Sequence, residues 1–132
     1  MNDSTNESGA ATDGVWMVQA VIQPFKIDPV TRALEAIDGF AGMTVTTVRG
    51  FGQEKLSDRA ASATHKPREA IDDFTGKLRI DVVVAGRRLA NAVTAAIASA
   101  AHTGNRGDGK IFVWPLTRVV RVRTMEEGTD AL

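Results

Sequence analysis

The chain has no cysteine and no tyrosine among its 132 residues. The first absence excludes disulfides and thiolate metal sites. The second excludes any switch worked by modifying a tyrosine. Aromatic residues are few, two Trp and five Phe, and read as core or interface rather than as stacking platforms. Charge of one sign is also missing. Sixteen basic and sixteen acidic residues leave a formal net charge of zero, so bulk charge draws this chain to no nucleic acid. No apolar run reaches the ~18 residues of a membrane span. The N-terminus lacks the basic and apolar regions of a signal peptide. Together these absences lead to the expectation of a cytoplasmic protein with no membrane insertion. HExxH, zinc-finger spacings and a nucleophile elbow are missing too. His65 and His102 match no metal spacing. Nothing here argues for an enzyme.

What is present suits one globular domain, with 43% apolar and 24% charged residues. Residues 1–14 are small, polar and acidic, which predicts a disordered tail reaching about residue 15. One folded domain is expected over 16–127, with a short tail over 128–132. Trp16 to Phe25 reads as a strand. Asp28-Pro29 reads as an N-cap and an N1 proline. Val30, Leu34 and Ile37 follow at helical spacing, and Gly39 closes that helix. Met43 to Val48 is a β-branched strand. Between Arg49 and Gly76 no clean period is visible, and a stretch of that kind in a compact domain is functional or disordered. Lys77 to Ala85 reads as a strand with Lys77 at its solvated end. Arg87 to His102 is a helix with Leu89, Val93, Ile97 and Ala100 toward the sheet. Ile111 to Trp114 is a strand that Pro115 breaks, and Arg118 to Arg123 is a last strand. The order β-α-β, long loop, β-α-β-β holds two β-α-β halves and predicts a ferredoxin-like α/β sandwich. Two helices cover only one face of such a sheet. Val45, Val82 and Val84 predict a second buried face, covered by neighbouring subunits.

The sharpest chemical signal is TGNRGDGKIFV, Thr103 to Val113. Gly104, four intervening residues, Gly109 and Lys110 make up most of a Walker A loop. Ile111 stands where a Ser or Thr must reach magnesium. A helical run precedes the loop and a strand follows, the reverse of the order that points helix N–H groups at phosphate. The glycines still permit an anion-binding nest beside a lysine. Asp108 has two readings, tying down the loop or facing a metal, and a turn aspartate favours the first. Arg121 and Arg123 would share one face of the last strand, as a two-guanidinium anion clamp. The bland alternative is a solvated strand edge.

Several segments together resemble the PII signal-transduction family. They are AVIQPFKID, GMTVTTVRGFG, TGNRGDGKIFV and TRVVRVRTMEE, and the resemblance runs from about Met17 to Glu127. Met125 replaces a glycine of the family's usual C-terminal motif. The resemblance implies a homotrimer in which ATP and ADP compete for clefts between subunits. It places Gly107, Asp108, Gly109, Lys110, Arg121 and Arg123 on the phosphate side, and Thr44, Gly52 and Val83 on the adenine and ribose side. The segment at about 50–76 corresponds to the family's T-loop, which engages a target such as a transporter or a metabolic enzyme. Gln53-Glu54-Lys55 departs from the family's sequence there. Glu54 stands where a glutamine helps hold Mg2+ and 2-oxoglutarate. A carboxylate still binds a cation, but its charge disfavours a dianion beside it. Lys77 matches the lysine that pairs with the effector's distal carboxylate. Ala70 aligns with the tyrosine modified in some members. The implied function is a non-catalytic regulator sensing adenine nucleotides. The alternatives are a sensor of another small anion or metal, with nucleotide secondary, and a slow ATPase.

Overall fold

The computed structural model describes residues 14–51 and 75–132. Most of the expected tail and of the T-loop segment lies outside them, together with Gly52, Glu54 and Ala70. Strand β1 is Val15–Ile22. It ends before Phe25 because Pro24, which lacks an N–H, opens a short 3-10 turn over Pro24–Lys26. That turn feeds helix α1, Ile27–Glu35. Asp28 therefore lies inside the first turn, where its charge suits the helix dipole, and it makes no capping hydrogen bond. Pro29 is tolerated one residue on, where no intrahelical N–H bond is needed. Strand β2, Thr44–Gly50, and strand β3, Thr75–Ala85, follow. Helix α2 is Arg87–Ala101, and strand β4 is Gly109–Leu116.

The four strands form one antiparallel sheet in the order β2-β3-β1-β4. Helices α1 and α2 pack against each other, and both feed one core. This is the ferredoxin-like double βαβ arrangement that the order of elements predicts. The strand root of the undescribed segment is closed, since Gly50 pairs with Thr75.

Alternation sorts the sheet residues by face. Val18, Ala20 and Ile22 of β1 join Ile80, Val82 and Val84 of β3 in the core. They meet Val30 and Leu34 of α1 and Ala90, Val93, Ile97 and Ala101 of α2. Leu89 and Ala100, expected toward the sheet, are only partly buried against this core. Val82 and Val84 therefore do not build a second apolar face. The face away from the helices carries Met17, Val21 and Val83 instead, with Phe112 and Trp114 47% and 38% exposed. Gln19 crosses this face to Asp81, donating from Nε2 to Oδ1 at 3.0 Å.

Two strand boundaries differ from the sequence reading. Pro115 does not end β4, which continues to Leu116 and pairs Pro115 with Trp16. An edge strand needs its ladder groups on one side only, so it admits a proline. Beyond Leu116 the partner strand has run out, because Leu116 already faces Val15, the first residue of β1. Arg118 to Arg123 consequently has no sheet to join. The chain folds back on itself through the single bridge Val120↔Glu127. Arg121 N–H donates to Glu126 O at 2.9 Å, and Met125 N–H donates to Arg121 O at 2.7 Å. Met125 takes φ 65 in this turn, the conformation a glycine adopts more readily.

Candidate functional site

The glycine loop joins the end of α2 to the start of β4, so its two ends are fixed by the core. Asp108 organises what lies between. Its carboxylate accepts from Thr103 N–H at 2.7 Å, Thr103 Oγ1 at 2.5 Å and Gly104 N–H at 2.9 Å. Asn105 N–H donates to Thr103 Oγ1 at 3.0 Å. His102 Nδ1 lies 3.9 Å from the same carboxylate. Asp108 thus holds the loop, as a turn aspartate should. The Thr103 hydroxyl, then its N–H, lower the Asp108 pKa from 3.8 to about 2, with Gly104 N–H and His102 adding to the effect against some desolvation.

A carboxyl depressed in the folded state stabilises it above the unfolded pKa and loses that contribution as pH falls through the folded one. The loop is therefore fully tied at neutral pH, and its tether fails between about 3.8 and about 2. A carbon-13 titration of the Asp108 carboxyl should inflect near 2. An inflection at the ordinary aspartate value would mean that the Thr103 contacts do not persist in solution.

The loop's far side is held by Lys77. It is 9% exposed, and its ammonium donates to Gly107 O at 2.5 Å. The expectation of a solvated strand end is overturned here. Lys77 stands on the face away from the helices, and its side chain reaches Gly107. Gly107 has φ +93, and a Cβ there would lie 2.9 Å from Gln23 Nε2 and 3.3 Å from Lys77 Nζ. Gln23 is a site residue that sequence reading missed, its only signal being its place in AVIQPFKID. Gly109 has φ +105, and a Cβ there would fall 1.7 Å from Val21 O. Lys110 is exposed and pairs with Val21. A cleft of about 300 Å³ opens beside it, lined by Ile97, Ala101, His102 and Asp108 among others.

Thr44 and Val83 lie together at the other edge of the same face. Thr44 opens β2 opposite Asp81, two residues from Val83, so the two are diagonal neighbours. Three strand spacings separate that edge from Lys110, roughly 14 Å. Gly52 and Glu54 lie outside the described residues. Arg121 and Arg123 do not share a strand face, because they occupy the turn after β4. Arg121 Nε donates to Ala131 O at 3.2 Å, and its terminal nitrogen donates to Leu132 O. Arg123 is exposed. Arg118 makes a two-pronged pair with Glu127, at 2.9 and 3.2 Å. Among the described residues no hydrogen bond or ion pair joins Arg121 or Arg123 to the glycine loop. No group of three or more acidic or histidine side chains among them is placed to hold a metal.

Residues 15–126 match the family model described as Nitrogen regulatory protein P-II. The chain belongs to the P-II family. Relatives named Nitrogen regulatory protein P-II include one from Azospirillum brasilense, 44% identical over 87% of this chain and 97% of its own length. One from Pasteurella multocida is 41% identical over the same shares. Among solved structures, Arabidopsis thaliana PII bound to citrate is 36% identical, with a TM-score of 0.71 over 91% of this chain and 94% of that one. P-II proteins are signalling regulators, not enzymes, and the slow-ATPase alternative gives way to that role. No helix among the described residues is long and apolar enough to cross a membrane.

Proposed function

We propose that this P-II chain senses ATP and ADP in clefts between copies of itself in a homotrimer, in the cytoplasm. It would control a transporter or metabolic enzyme through the segment at about 50–76. The observation that carries the reading is the glycine loop, tied by Asp108 on one side and by Lys77 on the other. A loop held at both sides presents its N–H groups and Lys110 to an anion without first being ordered. Gly107, Asp108, Gly109, Lys110, Arg121 and Arg123 would form the phosphate side. Thr44, Val83 and Gly52 would receive the base and ribose.

Two features favour a site shared between copies. Among the described residues of one chain neither arginine makes a hydrogen bond or ion pair with the loop, and Thr44 and Lys110 lie at opposite edges of the sheet. The exposed Phe112 and Trp114 supply apolar surface on the β4 edge that carries Lys110, of the kind that marks an interface. Mg2+ would accompany the phosphates, with Glu54 as its protein ligand. Signalling then requires ATP and ADP to bind the loop states unequally.

Calorimetry with ATP, ADP and adenosine tests this reading. Arg121→Ala and Lys110→Ala should each weaken ATP by roughly ten- to a hundredfold, the scale of one charge-assisted hydrogen bond. Adenosine should be unaffected. Equal losses for both ligands would contradict a phosphate role.

A second reading, a sensor of a small carboxylate such as 2-oxoglutarate, has one specific support. The Arabidopsis relative is described as bound to citrate. Glu54 weighs against a dianion beside it. Binding of 2-oxoglutarate in the absence of nucleotide would favour this reading over the first.

A further inference from the structure

The fork of Arg121 is already occupied, and its occupant is the chain's own C-terminal turn. Gly128–Ala131 forms a 3-10 turn whose last carbonyls have no partner within it. Arg121 supplies one, donating to Ala131 O at 3.2 Å and also to Leu132 O. The turn is anchored at its base. Gly128 N–H donates to Val119 O at 3.1 Å, Glu127 bridges to Val120, and Arg118 grips the Glu127 carboxylate. Ala131 is buried, so the turn is seated on the body of the protein.

We propose that this turn is an internal cap on the phosphate clamp, competing with nucleotide for the Arg121 guanidinium. Ala131 O is a neutral carbonyl and Leu132 O carries at most the single charge of one carboxylate, so together they are weaker acceptors for that fork than a polyphosphate. The cap therefore yields to nucleotide, at a cost in affinity. Linkage makes the effect reciprocal: nucleotide frees the C-terminal turn, and anything that holds the turn in place expels nucleotide. The inference rests on the nucleotide reading and assigns its regulation.

Gly128→Val tests the cap in the full chain. Gly128 has φ +69, and a Cβ there meets nothing within 4 Å. A β-branched side chain thus disfavours the turn's conformation without a clash. ATP should bind this variant about tenfold more tightly than the parent, the scale of one net hydrogen bond to a charged group. Adenosine should bind both alike. A chain ending at Glu127 should show the same gain, and if it fails to fold, Gly128→Val decides alone. With Arg121→Ala in place, Gly128→Val should have no effect on ATP. ATP affinity unchanged or weakened by Gly128→Val would overturn the cap and leave the nucleotide reading standing. Absence of ATP binding to parent and variant alike would overturn both.

Discussion

Gly109→Ala should unfold the loop end of the sheet and abolish nucleotide binding. The added methyl would lie 1.7 Å from Val21 O and 2.8 Å from Val21 C. Both are backbone atoms of β1, the strand paired on both sides, so neither can move aside without breaking a ladder. The left-handed φ of +105 adds a conformational penalty for any L side chain. The combination belongs with the largest single-residue effects, above about 4 kcal/mol. Urea denaturation measures the loss, and ATP titration measures its consequence. Gly107→Ala is the matched control. Its nearest neighbour, at 2.9 Å, is Gln23 Nε2, the far end of a flexible side chain. Its loss should stay near the conformational term alone, about 1–2 kcal/mol. Equal losses at the two glycines would show that β1 gives way, contrary to the packing described.

Lys77→Met should lower both stability and ATP affinity, even with no 2-oxoglutarate present. The substitution keeps most of the stem and removes the ammonium that holds Gly107 O. A hydrogen bond from a charged donor contributes about 1.5–3 kcal/mol, and screening is slight at 9% exposure. Thermal or chemical denaturation should register that loss. ATP should weaken as well, since Gly107 belongs to the proposed phosphate side. The family resemblance alone gives Lys77 a different task, pairing with the effector's distal carboxylate. On that basis stability and ATP affinity would not change, and only the effector response would be lost. The two outcomes separate a strut from a ligand contact.

Lys77 also shows where sequence reading stops. The run Lys77 to Ala85 is legible as a strand because its β-branched residues alternate. Alternation gives relative sides, but not what passes over them. Gly107 reaches Lys77 from 30 positions away in sequence, and no local pattern carries that information. Arg118 to Arg123 fails in the opposite way. VVRVR has the alternation of a strand, yet strand formation needs a neighbour with open ladder groups, and β1 ends at Val15 opposite Leu116. The Asp28-Pro29 signal marked the right helix two residues late, since the turn started at Pro24 continues directly into α1. The core was more legible. Val30, Leu34, Val93 and Ile97 are buried as their spacing predicts. TGNRGDGKIFV was legible as a loop with special backbone needs, and Gly107 and Gly109 both have positive φ. The seat of the Arg121 fork was not legible, because its partners are main-chain oxygens, which every residue has.

The pairing of Gly50 with Thr75 has a consequence for how such proteins diversify. It joins the two ends of the segment at about 50–76 on the sheet, so changes within that segment leave the strand register untouched. Doubling the length of a closed loop adds only about 0.6 kcal/mol of closure cost. On the proposed role of this segment, changes there in length or charge would alter the partner it meets while the sheet and the glycine loop stay the same.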